Sequence, residues 1–302
     1  MPGSSPAVSK ASKRTKAAGR VPPGRAVRRR QSLAFLGLTG VNAPRMMTRI
    51  LSSAGTLVDQ IKINQLSRKH YSGRWYWFKQ RRPGAQAIIA LANWFFRLAG
   101  NPVVILGQPA EWIAWEKSCL TMLHGDRFAN VIDDRGAWGV EEFPGKSVSD
   151  HLRDGTATLE MAKSAGRELS RAHQLSCGLL GGGWSHGDPH TGNFVYDSQE
   201  SRARLMDFEV RHDASLNAER RHADDLLVFL QDTLGRLSRE EWLRWAQAFI
   251  TAYDRPAITA HLLDRLAAPR GAARLWWAVR TTYLGSQELN TRLAELKAAL
   301  KT

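Results

Sequence analysis

Residues 184–209 read WSHGDPHTGNFVYDSQESRARLMDFE, and the rest of the chain is read outward from them. Asp188 and Asn193 stand five residues apart, in the order D-x-x-x-x-N. Asn193 opens an apolar run of Phe194, Val195 and Tyr196. Polar turn residues follow at 197–201, and then a second run, Leu205 and Met206. This pattern predicts strand, turn and strand, a return that would bring Asp207 back beside Asn193. Phosphoryl transfer from a nucleotide needs such a set: a carboxylate beside the acceptor hydroxyl, and oxygen ligands for magnesium.

The stretch resembles the catalytic and metal-binding loops of the protein-kinase-like superfamily. Its small-molecule branch is the nearer match: aminoglycoside and choline kinases and the bacterial lipopolysaccharide-core sugar kinases. Those often write the loop as H-G-D-x-H-x-x-N, as His186 to Asn193 do here, and often carry Glu after the Asp-Phe pair, as Glu209 does. UbiB-like atypical kinases share a D-P-H-x-G-N loop, but their Lys-x-Gly-Gln segment is absent from this sequence. The resemblance covers residues 57–235, with specific motifs only in the last third of that range. It implies an α+β, two-lobed protein-kinase-like fold with a small β-rich N-lobe and a mainly helical C-lobe. It also implies ATP and magnesium as cofactors. Asp188 is then the catalytic carboxylate that orients the acceptor hydroxyl and takes its proton, and Asn193 and Asp207 hold magnesium.

Upstream, residues 74–80 (RWYWFKQ) are aromatic and strand-like, with residues 71–73 as a turn before them and a looser alternation at 57–63. The resemblance makes Lys79 the ammonium over the inner phosphates. Without that resemblance, Lys79 reads as a surface residue at a strand end. No G-x-G-x-x-G or Walker A pattern precedes Lys79. Ser67-Arg68-Lys69-His70 and Ser72-Gly73 are the remaining phosphate-loop candidates. Residues 85–99 (AQAIIALANWFFRLA) predict an apolar helix stopping at Gly100. A membrane span needs about 20 apolar residues, so this helix is expected to be buried against the small-lobe sheet or to lie at an interface. A second helix, 109–124, carries Glu116 in an E-x-x-x-L-x-x-L pattern. In the resembling families the acid at that place pairs with the lysine, with Glu111 as the rival here. Strands are expected at 130–134 and 138–143, and an interlobe hinge at 141–145.

The large lobe begins with a short segment at 149–152 and an amphipathic helix at 159–175, followed by a glycine turn at 181–183. After Glu209, residues 220–235 predict a helix. By the resemblance, Asp224 or Asp225 on it braces the catalytic loop through backbone N–H groups. Arg211, His212, Arg220, Arg221 and His222 form a basic cluster, with both histidines expected as plain surface residues. Ser238 and Glu241 spell a capping box. Trp242, Trp245, Phe249 and Tyr253 make a core-facing stripe, and further helices follow at 262–266 and 275–300.

The chain has 302 residues, with 43 Lys+Arg against 28 Asp+Glu and a formal charge of +15. That balance favours anionic partners. Cys119 and Cys177 lack metal-ligand spacing, which suits a reducing cytoplasm. Residues 1–31 contain no acid and too little apolar area to order, so they read as a disordered basic tail. Residues 32–55 suggest short helical pieces. The expected organisation is a tail at 1–31, an N-lobe with an inserted apolar helix at 32–145, and a helical C-lobe at 146–302.

The function expected from this is ATP- and magnesium-dependent phosphotransfer to a hydroxyl of a small molecule or lipid-linked glycan, as in lipopolysaccharide-core sugar kinases. Its place would be the cytoplasm, peripheral at the inner membrane face where anionic lipid lies. The alternative is a nucleotide-binding pseudokinase scaffold whose basic tail holds anionic partners. Nucleic-acid binding rests on charge alone, without a recognisable motif.

Overall fold

The computed structural model describes residues 63–267, 269–271, 273–274, 277, 281 and 284–301. The basic tail, the helical pieces expected at 32–55 and nearly all of the alternation at 57–63 lie outside these residues. So does much of the helix expected at 275–300.

Strand β1 (Asn64–Tyr71) folds back on β2 (Arg74–Arg81) in a hairpin whose register pairs Leu66 with Lys79 and His70 with Trp75. Ser72 (φ 48°) and Gly73 (φ 80°) both adopt left-handed backbone, the two-residue turn whose twist matches its strands. With β5 (Trp138–Glu141) and β4 (Asn130–Ile132) the hairpin forms an antiparallel sheet in the order β1-β2-β5-β4. This geometry corrects the phosphate-loop candidates. Ser67 to His70 are paired in β1, and the Ser72-Gly73 tip lies six residues from Lys79, about 20 Å along an extended strand.

Helix α1 (Ala85–Leu98) packs against β3 (Val103–Ile105). Asn93 fixes that contact as a strand would. Its Nδ2 donates to the Ile105 carbonyl at 2.9 Å, and its Oδ1 accepts from the Ile105 N–H at 2.8 Å. Only Ala85, Ile89 and Phe96 of α1 are buried, so the expected burial against the small-lobe sheet is not what forms. Helix α2 (Pro109–His124) has the predicted bounds, with Pro109 in its first turn, and buries Trp112, Trp115, Glu116, Leu120 and Leu123.

Beyond the sheet the chain is mainly helical. Gly145 (φ 109°) comes so close to Tyr196 that a Cβ there would lie 2.1 Å from the Tyr196 carbonyl oxygen. Then come β6 (Lys146–Ser147), α3 (Val148–Arg153) and α4 (Leu159–His173). The short strands β7 (Ser176–Cys177) and β8 (Gly182–Gly183) pair through the glycine turn. The predicted hairpin appears as β9 (Phe194–Asp197) and β10 (Arg202–Leu205). Next is β11 (Val210–His212), which pairs with β3. Helices α5 (Ala218–Leu234), α6 (Arg239–Tyr253), α7 (Pro256–Arg265) and α8 (Ser286–Ala299) follow.

Helices α4 and α6 are in closest contact at Gly166, where a Cβ would sit 2.3 Å from the Phe249 carbonyl oxygen. The capping box at Ser238 and Glu241 is formed, and the Trp242, Trp245, Phe249 and Tyr253 stripe is buried. One apolar core runs from Trp112 and Trp138 through Trp184 and Phe194 to Leu296. The molecule is thus an α+β fold with a small antiparallel-sheet lobe followed by a mainly helical part.

Candidate active site

Lys79 lies near the end of β2, on the face it shares with Trp138 of β5, and is buried. Its Nζ donates to Glu116 Oε1 and to Asp207 Oδ1, each at 2.7 Å, and lies 3.6 Å from Glu209 Oε1. Burial alone would push the lysine pKa down. Asp207, Glu116 and Glu209 outweigh it and hold the group above its ordinary value, charged at any physiological pH. Between the two candidate acids on α2 the geometry separates clearly. Glu116 meets Lys79, whereas Glu111 is exposed and faces Arg211 at 3.5 Å.

The same face of β2 carries Arg81, two residues on. Its guanidinium donates to Leu106 O (2.9 Å), Asn64 Oδ1 (3.1 Å) and Glu209 Oε2 (3.3 Å), and it lies 4.3 Å above the Trp112 ring. Asn64 Nδ2 also donates to Glu209. Glu209, Arg81 and Asn64 therefore belong to the cluster, and none of them was assigned a place in it from sequence. For Arg81 the available signal was its i, i+2 spacing from Lys79, which returns a side chain to the same face of β2; the left-handed backbone at Asp207 breaks that spacing rule for Glu209.

Charge in this cluster is finely placed. Burial and then Asp207 push Glu209 up to about 7, against the opposing pull of Lys79. Burial likewise raises Glu116. Burial also acts to raise Asp207, but Lys79 outweighs it and the carboxyl falls below its ordinary value. Asp207 has φ 65°, a backbone conformation costly for a non-glycine residue and typical of sites where structure imposes it. Oxygen atoms of Glu116, Asp207 and Glu209 all lie within 4.8 Å of one another, so three hard ligands converge here. Glu116 Oε2 has no hydrogen bond of normal geometry among the described residues.

Asp188 and Asn193 sit on the loop ahead of β9. Asn193 Nδ2 donates to the Asp188 carbonyl oxygen at 2.9 Å, which leaves its amide oxygen as an acceptor. The Met206 N–H donates to the Asn193 carbonyl at 3.0 Å, so Asn193 lies next to the residue preceding Asp207. The Asp188 side chain is 29% exposed, with His190 Nε2 3.9 Å from its Oδ2. His190 Nδ1 accepts from the Gly192 N–H at 3.0 Å, so its proton resides on Nε2, on the Asp188 side. His186 is buried and held neutral by burial. Its Nδ1 accepts from the Asp188 N–H, and its Nε2 donates to the Met206 carbonyl.

Asp225 is the brace beneath this loop. It accepts from the His186 N–H (2.7 Å) and the Gly187 N–H (2.8 Å), and from His173 Nε2 (2.9 Å). Its pKa falls well below the usual carboxylate range, because the pull of His212 and the His173 hydrogen bond outweighs burial. Asp224 turns the other way, to His212 (3.2 Å) and Arg265. A second brace, unforeseen, is Asp232, which accepts from the Thr191 N–H at 2.9 Å. The basic cluster needs correction. His212 and His222 are buried, not surface residues, and Arg221 is buried with them. His212 Nδ1 bonds Ser185 Oγ at 2.9 Å, and His222 Nε2 donates to the Trp184 carbonyl at 2.9 Å. His212 sits in a three-residue strand and His222 in the first turns of α5, and at neither place does local pattern show that a polar side chain turns inward.

A cleft of about 370 Å³ opens between the sheet and the β9–β10 hairpin. Trp138, Val140, Phe143, Val195, Met206 and Phe208 form its apolar walls, and residues 141–143 form its edge. Lys79, Glu116 and Asp207 close its charged end. Gly192 lines it too, whereas Asp188 and Asn193, on the same loop, are not among the lining residues.

No family model matches the chain, and no curated protein matches it. Among solved structures, the complex of Rv3197 with erythromycin from Mycobacterium tuberculosis is similar over 80% of this chain and 74% of that one. The identity is 16% and the TM-score 0.36, a likeness too loose to carry function.

Proposed function

We propose that the chain is an ATP- and magnesium-dependent phosphotransferase acting on a hydroxyl of a small molecule or lipid-linked glycan, with a lipopolysaccharide-core sugar as the favoured class. The observation that carries the reading is the Lys79 ammonium held at 2.7 Å by both Glu116 and Asp207, beside a loop braced on Asp225. A lysine held between two acids is placed to meet phosphate oxygens without moving its own chain. The apolar walls around Trp138, Phe143 and Phe208 suit a planar base, and the charged end suits a phosphate chain.

Magnesium fits the donor set, because Asp207 and the amide oxygen of Asn193 are hard oxygen ligands on adjacent segments. Bound there, the ion would supply positive charge to phosphate oxygens. The chain's own residues do the rest. Asp188 orients the acceptor hydroxyl and accepts its proton as that oxygen bonds to the γ-phosphorus, and ADP leaves with the bridging oxygen. Lys79 stabilises the inner phosphates, and Asp225 keeps the backbone of His186 and Gly187 in position. The reading carries a cytoplasmic location, peripheral at the inner face of the membrane.

Calorimetric titration with ATP, with and without magnesium, tests the proposal together with ATP turnover by wild type and Asp207→Asn. Metal-dependent binding and turnover lost in the folded variant support it. Turnover in Asp207→Asn equal to wild type removes the metal assignment. Binding without transfer to any acceptor favours a pseudokinase scaffold.

A further inference from the structure

Leu91, Trp94 and Leu98 of helix α1 are 65%, 54% and 57% exposed. Spacings of three and four put them on one helical face, with the half-buried Ile88 and Phe95 beside them. The opposite face is spoken for: Ile89 and Phe96 are buried, and Asn93 is locked to Ile105 of β3. Exposed apolar residues scattered singly need no explanation, but three large ones aligned on one helix mark a surface that is covered in use.

Charge says what covers it. Residues 80–110 contain no acidic residue, and exposed Arg82 and Arg97 sit at the two ends of the helix. The chain before Asp59 adds eleven basic residues and no acid. An apolar face carrying Trp and Leu, bounded by arginines whose stems can reach up to phosphate, matches the boundary between headgroups and acyl chains. At 14 residues, α1 is about 21 Å long. No described helix is long and apolar enough to cross a membrane, and an amphipathic helix of this length docked on a bilayer would lie in its plane.

We propose that α1 docks flat on an anionic lipid bilayer, with Leu91, Trp94 and Leu98 inserted below the headgroups and Arg82 and Arg97 at the phosphates. The docking does not depend on the phosphotransferase reading, but it has a consequence for it. Through Asn93, α1 is bonded to β3, and β3 pairs with β11, which begins three residues after Asp207. A membrane-bound α1 therefore fixes the orientation of the metal-loop end of the cleft relative to the bilayer.

The test is co-sedimentation of the full chain with phosphatidylglycerol–phosphatidylcholine vesicles and with pure phosphatidylcholine vesicles. Wild type is compared with Leu91→Glu/Trp94→Glu, and magnesium–ATP binding is measured in both. Wild type is expected to partition onto the anionic vesicles, and the double variant to lose roughly tenfold or more in partitioning. ATP affinity should not change, which separates this result from the fate of the phosphotransferase reading. Trp94→Ala, a milder truncation at an exposed position, keeps the test decisive if the double variant melts early. Equal partitioning of a folded variant and wild type overturns the proposal, as does failure of wild type to bind. Light scattering that finds a wild-type dimer broken by the variant overturns it in favour of an interface between two copies.

Discussion

Lys79 Nζ lies 2.7 Å from Glu116 Oε1, and both side chains are buried. The pair links β2 to α2, so the ammonium is positioned by side chains from two separate elements. Asp207 adds a third contact from the large-lobe side. Removing the lysine would leave Glu116, Asp207 and Glu209 facing one another, with Arg81 still 3.3 Å from Glu209.

Lys79→Met should therefore destabilise the protein as well as abolish nucleotide binding. Breaking a buried ion pair from one side costs about 3–5 kcal/mol, because the opposite charge stays buried. Urea unfolding at neutral pH measures the first effect and ATP titration the second. A variant as stable as wild type would mean that Lys79 contributes nothing to holding the acids together.

Glu209 predicts a pH dependence. Its folded pKa, about 7, lies above the ordinary value of 4.5, so the folded state holds a proton that the unfolded chain releases between those values. Stability from this group therefore falls as pH rises from about 4.5 to about 7, and the penalty is complete above that. Glu209→Gln removes the titration. Its stability relative to wild type should rise across this window, by at most about 3 kcal/mol. Urea curves at pH 5 and pH 8 measure the change. A gap between variant and wild type that does not change with pH contradicts the assignment.

Asp225→Asn should loosen the loop that carries Asp188. An amide offers one acceptor oxygen where the carboxylate serves His186, Gly187 and His173, so at least one buried donor loses its partner. Each lost hydrogen bond to a charged group costs about 1.5–3 kcal/mol. The Asp225 carboxyl is depressed in the fold, so its contribution is present above the ordinary pKa of 3.8 and disappears as pH falls through the lower folded value. The variant should thus differ from wild type at neutral pH and less so in acid, which thermal melts can follow.

What was legible in the sequence was what is carried by local pattern. Helix α2 took its predicted bounds from Pro109 and its apolar spacing, and the β9–β10 hairpin followed from two apolar runs around a polar turn. What escaped were short segments whose partners lie far along the chain. The pairing of β3 with β11 joins three-residue strands across about a hundred residues, and nothing local in VVI announces it. Glu209, His212 and Asn93 were obscure for a different reason. Each is polar, and its inward direction is set by Arg81, Asp224 or Ile105 from another element. A polar residue shows no periodicity to betray that it is buried.

Asp188→Asn separates chemistry from binding. Two of the contacts that shape the loop use the main chain of Asp188: its carbonyl accepts from Asn193 Nδ2 and its N–H donates to His186 Nδ1. Replacing one side-chain oxygen by an amide nitrogen leaves those bonds intact, and the side chain is 29% exposed, so the fold should survive. Asp188 is absent from the lining of the cleft that would hold the nucleotide, and the proposed magnesium ligands are other residues. ATP affinity should therefore stay near that of wild type. Turnover should fall by about 10² to 10⁴, the range for lost general-base assistance. The loss should appear in kcat, because proton acceptance matters in the transition state and not in the bound ground state. Steady-state transfer to an acceptor hydroxyl, or slow ATP hydrolysis with water as acceptor, provides the measurement. Equal kcat in the two proteins would remove Asp188 from the chemistry.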